Sequence, residues 1–196
     1  MFDIPIRKGF ISGTDLEIHN LWNLLNDIWN ECDKGSWSGE SGRSTGQQLL
    51  DLHTYPELNW IIKPLMHEVI QFWDTDLKYT PSNIQPTASW ANLHEDGDST
   101  MEHSHSDGMR QAHVASVFYL KKSPDGGHIE FCDPLDYVKR HTPLAKSAGD
   151  AILSESMPCT TGDFLLFPGW LRHRTQPAIG RRVAISINFN GNFDYN

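Results

Sequence analysis

Apolar residues recur at helical spacing in two segments of the first third of the chain. The first segment follows Thr14-Asp15-Leu16-Glu17, which has the form of a capping box. It predicts a helix over about residues 15 to 31. The second segment follows Pro56, which suits a first helical turn, and its apolar face runs from Leu58 to Trp73. Residues 1–85 are therefore predicted to be mainly helical.

From about residue 86 the pattern changes to short β-type runs separated by Gly, Pro or Asp. The runs are TASWANLH, HVASVFYLKK, GGHIEFCD, DAILSES, GDFLLFPG and RVAISINFNG. Short strands at this spacing, with no helical pattern between them, favour a sandwich or barrel over a parallel doubly wound sheet. The pattern predicts a mainly β protein with N-terminal helices, whose β core spans residues 86–196.

Length and charge limit the organisation and the partners of the chain. A chain of 196 residues, 38% of them hydrophobic, suits one sizeable core and is short for two, so we expect a single domain over residues 1–196. The formal net charge of -9 opposes binding to nucleic acid. The expected partner is a small-molecule or peptide substrate, and an exposed helix face would suit a homodimer.

The chain also lacks the sequence signals of membrane insertion and secretion. No run approaches the roughly 20 apolar residues that cross a bilayer, and MFDIPIRKGF has no positive start followed by an apolar run. Cys32, Cys132 and Cys159 are odd in number and widely spaced, which fits neither a disulfide framework nor a cysteine-rich zinc site. These features predict a cytoplasmic protein with reduced thiols and no membrane partner.

The stretch MEHSHSDG carries three side chains of metal-binding type at alternate positions, His103, His105 and Asp107. Alternate side chains of an extended strand share one face, and a further ligand must come from another strand. His173, which follows GDFLLFPGWLR, is the candidate. Two histidines and a carboxylate suit an Fe(II) centre that activates oxygen, although zinc accepts the same ligands. The type of ligand alone leaves both metals open.

An arginine that lies after His173 in the sequence, Arg182, favours an iron site that also binds a 2-oxo acid. The far carboxylate of such a dicarboxylate needs a charge-assisted partner inside the protein, and Arg182 opens the run RVAISINFN. In that run one face carries Arg182, Ala184, Ser186 and Asn188, and the other carries Val183, Ile185 and Ile187. A polar face inside an apolar β-run is explained by a bound dicarboxylate.

Five segments in order along the chain resemble the signatures of the 2-oxoglutarate/Fe(II)-dependent oxygenases. They are SWANLHEDGDSTMEHSH, ASVFYL, GGHIEF, GDFLLFPGWLRHRTQP and RRVAISINFN. The nearest branch has the pattern W-x-N, Gly, H-x-H, S-G-V-Y-Y, F-P-x-W-x-x-H and R-I-S-I-S-F-N, and the resemblance covers roughly residues 88 to 191. It implies a double-stranded β-helix, or jelly roll, with helices packed outside. It also implies an Fe(II) enzyme that hydroxylates a substrate while 2-oxoglutarate becomes succinate and CO2.

The resemblance leaves the third metal ligand open. His105 and His173 belong to both possible registers. The wider superfamily uses H-x-D, which His105-Ser106-Asp107 spells, whereas counting from Gly97 places His103 where the first histidine normally falls. Asp107 is preferred on chemistry, because an anionic ligand lowers the charge of the site and gives the usual facial triad. Spacing favours His103.

The resemblance also implies a set of co-substrate contacts. Arg182 is expected to hold the far carboxylate of 2-oxoglutarate. The hydroxyl that often supports it is missing from Arg182-Val183-Ala184, so Ser186 or Tyr119 is expected to supply it, with Asn92 as a further contact. His94 is expected on the same side of its strand as Asn92, without an assigned role.

Two other functions stay open from the sequence. A cupin-type metalloenzyme, a dioxygenase or isomerase, would bind its substrate directly without 2-oxoglutarate. Gly97, H-x-H, Gly162, Pro168 and His173 loosely resemble the two cupin motifs, but the glutamate expected soon after H-x-H is absent. A catalytically silent binding module would keep the jelly roll without its chemistry.

Overall fold

The computed structural model describes residues 4–35, 41–106, 111–136 and 154–192. Its strands are β1 (Arg7–Phe10), β2 (Arg43–Ser44), β3 (Ser82–His94), β4 (Val114–Lys121), β5 (Ile129–Cys132), β6 (Ser154–Met157), β7 (Asp163–Pro168), β8 (His173–Thr175) and β9 (Arg182–Asn192). Its α-helices are α1 (Asp15–Asn30) and α2 (Asn59–Gln71). Short 3-10 turns at Thr45–Gln47, Leu52–Thr54 and Pro56–Leu58 precede α2, and a π-helical turn at Phe72–Asp76 follows it.

Two antiparallel sheets face each other across a shared core. The larger sheet has the order β1-β7-β4-β9-β3-β2, and the smaller has the order β6-β5-β8. Val117 and Phe167 of the larger sheet belong to the same hydrophobic cluster as Ile129 and Phe131 of the smaller sheet. This arrangement confirms the mainly β jelly roll that the sequence predicts.

Both α-helices pack on the other face of the larger sheet. The predicted capping box is present: the Thr14 hydroxyl accepts from the Glu17 backbone N–H, and the Glu17 carboxylate accepts from the Thr14 N–H at 2.8 Å. Helix α1 buries Leu21, Leu25 and Trp29, and helix α2 buries Ile61, Leu65 and Val69. Because each fully buried side chain of this kind contributes about 1.5–3 kcal/mol, these contacts hold the helices against the sheet.

Strand alternation in β3 and β9 separates an apolar face from a polar face. Ile185 and Ile187 point to the helices, where they join the larger hydrophobic cluster. Arg182 and Ser186 line the space between the sheets. The register pairs His94 with Arg182 and Trp90 with Ser186, so the positions of both strands that face the cavity lie side by side. The polar face predicted for β9 is confirmed.

Three short strands are missing from the sequence prediction. β1 and β2 lie inside residues 1–85, which the sequence predicts to be mainly helical, and β8 has three residues. β1 forms by pairing with β7 and β2 by pairing with β3, so they depend on tertiary contacts rather than on a local pattern. Among the described helices, none is long and apolar enough to cross a membrane.

Candidate active site

Three histidine side chains converge between the two sheets. The potential ligand atoms of His103, His105 and His173 all lie within 4.8 Å of one another. His103 and His173 form an antiparallel bridge in which each backbone N–H donates to the other's carbonyl at 2.9 Å. Side chains of residues paired directly in this way lie on the same face, and His105, two positions after His103, shares that face. The backbone pairing therefore brings the three imidazoles together.

Each imidazole is oriented by a hydrogen bond at its Nδ1 atom. The Nδ1–H groups donate to the Met101 carbonyl from His103 (2.9 Å), to the Asn188 side-chain oxygen from His105 (2.7 Å) and to the Leu171 carbonyl from His173 (2.9 Å). All three acceptors are oxygens, so each Nδ1 carries the proton and each Nε2 keeps its lone pair for a metal. Supporting bonds of this kind are characteristic of histidines that ligate metals.

Burial keeps His173 neutral. Its pKa lies well below the usual value, chiefly because burial disfavours the charged imidazolium, with further contributions from His103 and His105. The rings of Trp90 and Phe167 pack beside the cluster, with centroids 5.4 Å from His105 and 4.9 Å from His173. A neutral imidazole is the form that binds a metal ion, so this environment favours ligation.

The Asn188 contact leads to a first prediction. Asn188 is fully buried, and Asn188→Leu removes the oxygen that fixes the tautomer of His105. We expect the affinity for Fe(II) or Co(II) to fall about 10–100-fold, measured by anaerobic titration. Asn190→Leu is the matched control, because Asn190 bonds the backbone of His113 rather than a histidine ring of the cluster. Unchanged affinity in Asn188→Leu would contradict this role.

The structure describes the histidines of both possible ligand sets but not Asp107. His105 and His173, which both registers include, lie in the cluster together with His103. Asp107, the ligand preferred on chemical grounds, lies outside the described residues. The described cluster is thus the one that spacing favours.

The histidines open into a cavity of about 470 Å³ between the sheets. A cavity of this size falls in the range of small-molecule sites, about 300–1,000 Å³. Its lining includes all four residues that were predicted to contact the co-substrate, Asn92, Tyr119, Arg182 and Ser186. The three histidines and the residues that were predicted to contact the co-substrate therefore line the same cavity.

Arg182 is held rigidly in the wall of this cavity. Its side chain is 2% exposed. The guanidinium donates to the carbonyls of Gly127 (2.6 Å) and Gln176 (3.0 Å), to the Thr175 hydroxyl (2.8 Å) and to Nδ1 of His94 (3.4 Å). These four acceptors are neutral, and they fix the orientation of the guanidinium. A planar, oriented guanidinium suits a carboxylate ligand.

Two further groups of the cavity wall have capacity for a polar ligand. The Asn92 side-chain oxygen is buried and accepts no hydrogen bond from the described part of the chain. An unsatisfied buried acceptor is costly, which fits a site completed by a ligand or water. Tyr119 is 1% exposed, and burial raises its hydroxyl pKa well above the usual value, so the hydroxyl stays protonated as a donor. Together with the three imidazoles and Arg182, these groups fit a divalent metal and a dicarboxylate.

Several residues that support the site received no role from the sequence. His94 is buried, accepts from Arg182 and contacts the Thr100 hydroxyl through Nε2 at 3.3 Å. One indication of this role was available in the sequence, because His94 lies two positions after Asn92 and therefore on the same face of the strand. The carbonyls of Gly127 and Gln176 had none, because backbone acceptors are the same in every residue. Gly127 adopts φ +65°, and a Cβ there would lie 3.1 Å from Nη1 of Arg182.

The fold is a jelly roll in which three histidines that could hold a metal ion and a buried arginine line one cavity. The family model described as "Putative 2OG-Fe(II) oxygenase" matches residues 88–190, which is more than half of the chain. The chain belongs to this family of 2-oxoglutarate/Fe(II)-dependent oxygenases. Fe(II) is accordingly its metal and 2-oxoglutarate its co-substrate, which confirms the resemblance seen in the sequence.

Solved structures of the same fold include enzymes with diverse substrates. A Pseudomonas putida prolyl-4-hydroxylase has a TM-score of 0.62 at 13% identity, covering 97% of this chain and 94% of that one. HygX from Streptomyces hygroscopicus, solved with nickel, 2-oxoglutarate and hygromycin B, has a TM-score of 0.60 at 14% identity, with 98% and 85% covered. The collagen prolyl hydroxylase of Paramecium Bursaria Chlorella virus-1 has a TM-score of 0.59 at 11% identity, with 94% of each chain covered. The search of curated proteins found no match. At these identities the likeness establishes the fold.

Proposed function

We propose that the protein hydroxylates a C–H bond of a small-molecule or peptide substrate, with iron held by His103, His105 and His173 and 2-oxoglutarate held by Arg182. One observation carries this assignment. The three imidazoles, each oriented to present Nε2, and the guanidinium of Arg182 line the same cavity. A dicarboxylate that chelates the metal at one end then reaches a fixed cation at the other.

The protein's own residues bind and orient the reactants. When bound, iron and 2-oxoglutarate supply the oxidising chemistry: one atom of O2 enters succinate, the other enters the substrate, and CO2 is released. Arg182 fixes the far carboxylate and thereby the orientation of the 2-oxo acid. Val117, Ile129 and Phe167 line the same cavity and limit access of water to the reacting groups.

The described cavity wall also bears on the substrate. Arg182 is its one permanently charged residue among those the structure describes, and the proposal assigns that charge to 2-oxoglutarate. A charged substrate group beside the metal would lack a partner there and would be costly to bury. We therefore favour a substrate whose reacting portion is uncharged.

The cytoplasmic location predicted from the sequence also belongs to the proposal. Cys32, Cys132 and Cys159 are all buried free thiols. Burial is the largest cause that raises the pKa of the thiols of Cys132 and Cys159 to about 11, which keeps them protonated and unreactive. Reduced thiols and an Fe(II) centre both suit a reducing compartment.

A spectroscopic titration tests the proposed function. We expect the anaerobic Fe(II) protein to develop a metal-to-ligand charge-transfer band when 2-oxoglutarate is added. The band requires chelation of the metal by the 2-oxo acid, so a cupin-type enzyme that binds metal without the co-substrate would show none. A silent binding module would retain neither the metal nor the band. Succinate release in the presence of candidate substrates then identifies the substrate class.

A further inference from the structure

A buried lysine lies behind the wall that carries Arg182. Lys122 follows β4 directly and is 5% exposed. Its ammonium group donates to the carbonyls of Ser123 and Gly126, both at 2.8 Å, and contacts Nδ1 of His128 at 3.1 Å. Three neutral acceptors thus satisfy its three N–H groups. Among the residues that the structure describes, no carboxylate oxygen lies within 4.0 Å of this ammonium, so it forms no ion pair with them.

The charge of this lysine adds to that of Arg182. Burial is the largest cause that lowers the pKa of Lys122, and the positive charge of Arg182 acts in the same direction. The ammonium lies 6.0 Å from the ring centroid of Tyr119, which lines the cavity. Arg182 in the cavity wall and Lys122 behind it repel each other and lose hydration, so an anion bound beside Arg182 would offset part of both costs.

Lys122 and Arg182 also hold the same turn. The Gly126 carbonyl accepts from Lys122, and the next carbonyl along, that of Gly127, accepts from Nη1 of Arg182 at 2.6 Å. The ammonium of Lys122 therefore holds the turn of residues 123–128. Because the Gly127 carbonyl belongs to this turn, the position of the turn in part determines the orientation of the Arg182 guanidinium. Lys122 itself is absent from the cavity lining among the described residues, so it acts through its neighbours.

We propose that Lys122 is a positioning residue for the far carboxylate of 2-oxoglutarate. It holds the turn that orients Arg182, and it supplies a second positive charge at that end of the cavity. This inference rests on the proposed function, because it takes the carboxylate to be that of the co-substrate. It extends the anion site from one cation to two.

The test compares two 2-oxo acids that differ at their far end. 2-Oxopentanoate has a methyl group where 2-oxoglutarate has its far carboxylate, and both chelate Fe(II) through the same oxygens. Affinities of both acids are measured anaerobically from the charge-transfer band. Lys122→Met removes both charge and donors, Lys122→Gln keeps N–H donors without the charge, and Lys121→Met changes the exposed neighbouring lysine as a matched control.

We expect Lys122→Met to weaken 2-oxoglutarate binding about tenfold, because Arg182 loses the support of the turn and the anion site loses a nearby positive charge. Binding of 2-oxopentanoate should change by no more than about twofold. Lys122→Gln should show the same selective loss to a smaller degree, and Lys121→Met none. If the Met variant fails to fold, the Gln variant carries the test. Equal weakening of both acids would indicate general destabilisation and overturn the proposal, as would unchanged affinities in both Lys122 variants. A wild-type protein without any band would instead contradict the proposed function itself.

Discussion

His103→Ala is expected to abolish tight Fe(II) binding, whereas Asp107→Ala is expected to preserve it. Removing His103 takes away one of the three imidazoles that could ligate the metal. The loss should exceed the roughly 10–100-fold that removal of a supporting partner causes, because a direct metal bond disappears. Asp107→Ala leaves all three described imidazoles in place, so the metal should still bind and the charge-transfer band should still appear with 2-oxoglutarate.

Two quantities are measured: the metal content after anaerobic loading and desalting, and the intensity of the charge-transfer band when 2-oxoglutarate is added. His19→Ala is the control for loss of a histidine, since His19 lies on helix α1 and its ring contacts Asn23. The opposite result, with metal retained in His103→Ala and lost in Asp107→Ala, would establish the H-x-D register that chemistry favours. Loss in both variants would require both side chains near the ion.

Arg182→Met is expected to weaken 2-oxoglutarate binding about 100-fold or more, because it removes a buried, oriented partner of the far carboxylate. Metal binding itself should persist, since Arg182 is separate from the three histidines. The variant also leaves the carbonyls of Gly127 and Gln176 without their donor, so a lower melting temperature should accompany the loss.

Arg181→Met provides the matched control for that experiment. Arg181 precedes Arg182, is exposed, and pairs with Glu95 at 2.9 Å, so its side chain lies outside the cavity. An exposed pair of this kind contributes about 0–1 kcal/mol to stability, and co-substrate affinity should stay unchanged. Comparable losses in both variants would show that Arg182 acts through folding rather than through the carboxylate.

The alternation of side chains along single strands was predictable from sequence. Arg182 and Ser186 line the cavity while Ile185 packs under the helices, as the period of two in β9 requires. The capping box of α1 was predictable for the same reason, since four consecutive residues contain all its groups. Local rules of this kind need no knowledge of the rest of the chain.

The convergence of the three histidines was harder to derive. His103 meets His173 because their backbones pair directly, and β8 is too short to leave a pattern in the sequence. Charge favoured Asp107 over His103, but which side chains meet is set by backbone register, which the charge of a ligand does not encode. The carbonyls that accept from Arg182 and Lys122 could not be predicted either. Every residue has a backbone carbonyl, so the sequence does not indicate which of them will face a given side chain.

The position of His105 and His173 in the chain has a consequence for folding. Both registers include this pair, so one ion would join two segments that are far apart in sequence and that also pair through their backbones. Such an ion acts as a cross-link that closes a long loop, and it binds the native state in preference to the unfolded chain. Loss of iron is therefore expected to lower the stability of the folded state as well as the activity.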